Sequence, residues 1–243
     1  MNMNQTVLAV IGISILMSLP VARVVAQAPP TPDQMVAALK QNLAESQKRL
    51  RQYEWTETTA ISLKGEEKSR KQQRVYCGAD GKLTKVPLGE PPPPQAAPGG
   101  GRRGGRLKQQ VVENKKSDMQ DYMEKAAALI QQYVPPDPAQ IQKAKDAGHM
   151  ALRPQPDGKV RVEFSDYVQP NDQMAIDVDA KAALLSALSV ATYLEKPEDA
   201  VTLNVRFAAL PDGTSYTAQT ALEAKAKNIR VVVENSGHRP LAQ

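Results

Sequence analysis

The sequence predicts an α+β fold: a curved antiparallel β-sheet, or half-barrel, with helices covering its concave face. Three observations point there. A run with helical spacing opens the part of the chain that can form a core. Period-two alternation then recurs in short runs separated by turn residues, and two further helical runs interrupt those strands midway. One helix, a strand meander, inserted helices and then several antiparallel strands is the order expected when helices line the hollow of a sheet.

The first helix is predicted over about 31–51. Thr31 supplies a cap, Pro32 suits the first helical position and Gln34 completes a capping box, while Met35, Val36, Leu39, Leu43 and Leu50 recur on one stripe. From Tyr53 the period drops to two. Tyr53, Trp55, Thr59, Ile61 and Leu63 share one face of a strand, and Lys64-Gly65 turns the chain into a second strand over about 68–77. Asp80-Gly81 leads to a third over 82–88.

Residues 90–108 break the pattern. Pro91 to Pro94, a Gly99-Gly100-Gly101 run and the basic side chains Arg102, Arg103, Arg106 and Lys108 bury too little to offset ordering entropy, which predicts a disordered insert. A second capping box at 117–120 and a third device at Asp137-Pro138 predict two helices, the latter ending near Gly148. Alternation resumes with Val160, Val162 and Phe164, then Met174, Ile176 and Val178, then Val201, Leu203, Val205 and Phe207. Residues 188–194, 215–222 and 228–235 supply further strands, with 181–188 readable as strand or helix. Pro211-Asp212-Gly213 is a turn, since proline presets one dihedral and glycine accepts a positive one.

An apolar run over 7–19, stopped by Pro20 and followed by Val24-Val25-Ala26, reads as a secretory signal peptide cleaved after Ala26, although the segment before it has no Lys or Arg. The run is too short for a membrane-spanning helix. Residues 27–243 then form one domain in the periplasm or outside the cell, not transmembrane after cleavage. The net charge of +5 is a weak basic excess, and Cys77, the single cysteine, precludes an internal disulfide and reads as a buried apolar side chain.

No constellation names a reaction. The two histidines, His149 and His238, stand in no catalytic motif, and no ligand spacing supports a metal. Asp177 and Asp179 share a strand face, the ordinary arrangement of a solvated side. The reading is therefore of a non-enzyme with no catalytic residue, no metal and no cofactor. The Arg-Gly tract would suit nucleic acid in another compartment. For an exported chain it fits an envelope protein or an anionic surface instead.

The closing stretch carries a resemblance. Val201-Thr202-Leu203-Asn204-Val205-Arg206-Phe207, then Pro211-Asp212-Gly213-Thr214-Ser215-Tyr216, then Ala226-Lys227-Asn228-Ile229-Arg230-Val231-Val232-Val233-Glu234-Asn235 resembles the LolA-like periplasmic lipoprotein-carrier superfamily. That resemblance implies an incomplete antiparallel barrel around an apolar cavity, holding lipid or the acyl chains of lipidated protein. Candidate lining residues are Trp55, Ile61, Phe164, Ile176, Leu203, Val205 and Phe207. Two features depart from it: only two phenylalanines and one tryptophan in the chain, and the long insert. The alternative is an envelope interaction or sensing module of the same fold without cargo, its basic insert contacting a partner.

Overall fold

In a computed structural model the described residues are 32–89 and 105–241. Residues 1–26, read from the sequence as a signal, Thr31 and residues 90–104 of the predicted insert lie outside them. The order is α1 (Pro32–Leu50), β1 (Tyr53–Leu63), β2 (Glu66–Cys77), β3 (Leu83–Leu88), α2 (Gly105–Ile130), α3 (Pro138–Asp146), β4 (Met150–Pro154), β5 (Lys159–Ser165), β6 (Gln173–Asp179), β7 (Leu184–Tyr193), β8 (Ala200–Ala209), β9 (Ser215–Ala224) and β10 (Ile229–Pro240). Among the described residues the fold class is α+β: one curved, open, ten-stranded antiparallel sheet with three α-helices.

Sheet order is β3-β2-β1-β10-β9-β8-β7-β6-β5-β4. Sequence neighbours pair as meanders on both sides, and a single long-range pairing, β1 with β10, joins them. Tight turns make the meanders. Between β1 and β2 both Lys64 (φ 54°) and Gly65 (φ 82°) are left-handed, the two-residue loop whose twist matches the strands.

Alternation sorts the apolar side chains onto one face. One cross-strand row runs Phe164, Met174, Val190, Leu203, Leu222, Val231, Ile61; the next runs Val162, Ile176, Leu188, Val205, Thr220, Val233, Thr59. Over β5–β8 these rows meet Tyr133 and Ala144, which are buried, with Leu129, Ile130 and Ile141 partly buried against them. That cluster is the main core.

Its polar keystone is Asp172, fully buried at the β5–β6 connection. Oδ2 accepts from the Tyr133 hydroxyl (2.6 Å) and from the backbone N–H groups of Val168 (2.9 Å) and Gln169 (2.8 Å), while Oδ1 accepts from the N–H of Tyr167 (2.6 Å). Tyr133 Oη also lies 2.8 Å from Thr192 Oγ1. Burial, reinforced by the Asp172 bond, pushes the Tyr133 hydroxyl far above its usual range, so it stays protonated and donating.

Helix α1 is fixed separately. Asn42 Nδ2 donates to the carbonyls of Ala182 and Ala183 ahead of β7, and buried Ser46 accepts from the Ser215 N–H at 3.0 Å.

One local expectation is revised, one open alternative resolves and one strand is new. Helix α2 begins at Gly105, so the 117–120 capping box lies inside it and the segment holding Arg106 and Lys108 is helical. The stretch after Gly105 is rich in Lys and Gln, whose intrinsic propensity extends the helix backwards. Residues from Leu184 are strand rather than helix. β4 was not anticipated, being five residues long, mostly exposed and ended by Pro154.

Candidate functional site

Beyond the α2–α3 cluster the same face of the sheet holds a pocket of ≈ 430 Å³. Its floor is a cross-strand row in which Trp55 of β1 stands opposite Val75 of β2 and Val75 opposite Lys85 of β3, with Cys77 and Leu83 as the next pair. Gln47, Leu50 and Arg51, at the C-terminal end of α1, form one wall; Tyr216 and Thr217 of β9 with Asn235 and His238 of β10 form another. Trp55 is 8% exposed and Val75 fully buried.

A break in register shapes that wall. Thr56 pairs with Ser236 but Glu54 pairs with Arg239, so Gly237 and His238 together stand opposite Trp55. Gly237 has φ 64°, a left-handed conformation that suits glycine in a β-bulge. The bulge aims the imidazole inward. His238 stacks on Trp55 (centroids 5.5 Å apart, planes 18° apart) and approaches Tyr216 at 4.0 Å and 49°. Burial holds the His238 pKa below the ordinary histidine value, which favours the neutral ring at pH 7.

Polar atoms at the pocket are mostly spoken for. Trp55 Nε1 donates to Asn235 Oδ1 at 3.0 Å, and Asn235 Nδ2 donates to the Thr217 carbonyl at 2.9 Å. Lys85 Nζ donates to both carboxylate oxygens of Glu57, at 2.7 and 2.8 Å. The rest of the lining is Leu50, Leu83, Cys77 and aromatic rings, with the polar side chains of Gln47 and Arg51 on the α1 side. Such a surface can adsorb an apolar group.

The seven candidate lining residues lie on one face but do not surround one space. Trp55 lines the pocket. Phe164, Leu203 and Val205 are buried in the α2–α3 cluster, Ile176 and Phe207 pack on it, and Ile61 is 37% exposed elsewhere on that face. Arg102 and Arg103 lie outside the described residues; Arg106 and Lys108 fall in the first turn of α2. Sequence reasoning missed His238, Tyr216 and Asn235. The signal was the isolated glycine of Ser236-Gly237-His238 inside a strand pattern, which marks a bulge.

Other polar residues have structural occupations. Asp177 makes a two-point contact with Arg161 (2.7 and 2.8 Å), Asp179 accepts from the N–H groups of Lys181 and Ala182, and His149 sits 3.7 Å from Asp166. A polar groove of ≈ 490 Å³ over β4–β8 includes the small side chains Ala175, Ser189 and Ala191, which alternate onto the other face. Among the described residues no three acidic, histidine or cysteine side chains converge as a metal site, and no helix is long and apolar enough to cross a membrane.

Solved structures similar to this chain include a DUF1329 family protein from Desulfovibrio piger (TM-score 0.39, 12% identity, 85% of this chain and 92% of that one). The LolA superfamily protein NE2245 from Nitrosomonas europaea is another (TM-score 0.35, 8% identity, 84% and 94%). MucB, solved in complex with MucA(peri), gives TM-score 0.20 at 12% identity, over 85% and 99%. No family model and no curated protein matches the chain.

Proposed function

We propose that this chain is an exported, non-enzymatic binding protein that takes an acyl chain of a lipid or lipidated protein into the Trp55 pocket. The observation that carries the reading is the pocket itself: about 430 Å³ of largely apolar and aromatic wall on the sheet face that a filled core covers over β5–β8. That volume lies within the range of small-molecule sites. The apolar run over 7–19 and the small residues at 24–26 support export with cleavage after Ala26, into the periplasm or beyond.

A second reading is favoured by one observation. Five of the seven candidate lining residues are packed against α2–α3 rather than facing a cavity, as expected of an envelope interaction module without cargo. Native mass spectra of the protein from a periplasmic extract, before and after organic extraction, separate the two. A removable mass excess identified as lipid or acylated peptide supports the carrier. A bare polypeptide that takes up no acyl probe eliminates it and leaves the module.

A further inference from the structure

Two chemical facts about the pocket point past its apolar character. Its charged lining consists of Glu57, Lys85 and Arg51, and these do not balance. Glu57 is satisfied on both oxygens by Lys85, and the His238 ring is held neutral by burial. Arg51 has no carboxylate partner among the described residues. It stands at the end of α1, whose last turn already carries Lys48 and Arg49; Arg49 is engaged with the Asp212 carbonyl. The pocket therefore has apolar walls and one uncompensated cation at its mouth.

We infer that its ligand is a single-chain carboxylate amphiphile of the fatty-acid type, its chain along Leu50, Leu83 and Trp55 and its head on Arg51. This rests on the binding-protein reading above and specifies its ligand. A guanidinium offers parallel N–H donors in a fork that matches a carboxylate, which an ammonium does not. A cationic head would meet Arg51 and Lys85 with like charge.

Trp55 is the chain's only tryptophan, so intrinsic tryptophan emission reports on this pocket alone. The test titrates the mature protein at pH 8 with dodecanoate, dodecyl maltoside and dodecyltrimethylammonium, each below its micellar concentration, reading Trp55 emission alongside native mass spectra. Dodecanoate is expected to bind about tenfold or more tighter than the trimethylammonium compound, matching a charge-assisted contact of that order. Arg51→Gln should erase the difference and leave maltoside binding unchanged, which also shows that the variant is folded. Equal binding of all three, or a preference that survives Arg51→Gln, overturns the carboxylate assignment and leaves the binding reading intact. Emission unmoved while native spectra show bound amphiphile overturns the assignment of this pocket alone. No binding by either readout removes both.

Discussion

At the scale of single residues, Asp172 and His238 show opposite uses of burial. Asp172 is enclosed but receives four donors, three of them backbone N–H groups that would otherwise have no partner. Removing a buried, hydrogen-bonded charge leaves its donors stranded. Asp172→Ala should therefore lower unfolding stability by about 3–5 kcal/mol, and Tyr133→Phe by about 1–3 kcal/mol, as urea midpoints at unchanged slope would record. His238 has no such donors or acceptors, only rings. Its folded pKa lies below the unfolded value of about 6.5, so the unfolded chain takes up the proton first. Its contribution is intact above that value, is lost as the pH falls below it, and levels off beneath the folded pKa. Melting temperature should thus decline between about pH 7 and pH 5, and His238→Gln should flatten that decline. An identical pH profile in the variant would exclude His238 as its source.

At the scale of elements, the open sheet has two edge strands. Among the described residues β3 pairs only with β2, and β4 only with β5. Both expose leucine: Leu83 at 61% and Leu152 at 56%. Each edge strand also contains a proline, Pro87 in β3 and Pro154 in β4, which removes an N–H that a second chain would need for pairing. Replacing both by valine should raise self-association in sedimentation velocity while leaving the melting temperature nearly unchanged. A monomeric double variant would show that the edges are guarded otherwise.

The same scale shows what was legible beforehand. Strands with clear alternation, such as β1, β5, β6 and β8, were readable because one face must be largely apolar and the other need not be. α3 was readable from its cap, where Asp137 accepts from the Ala139 N–H and Gly148 closes the helix at φ 76°. β4 carried too few apolar residues to show a period. The start of α2 follows propensity past a capping box that is not used. The pocket was half legible: Trp55 was marked as an inward residue, but the wall made by α1, β9 and β10 brings together residues up to 191 positions apart, which no local pattern encodes.

At the scale of the whole molecule, one pairing joins the two meanders. β1 finds its second neighbour only in β10, with Ile61 opposite Val231 and Thr59 opposite Val233. All other neighbouring strands in the sheet follow one another in sequence or nearly so. The topology predicts that local hairpins form before this seam, since distant contacts must overcome loop-closure entropy before they yield any stabilisation. The pocket is built across that seam, with Trp55 on one side and His238 on the other. A chain in which the seam is unpaired lacks the Trp55–His238 stack, so the proposed capture of ligand depends on the longest-range strand pairing among the described residues.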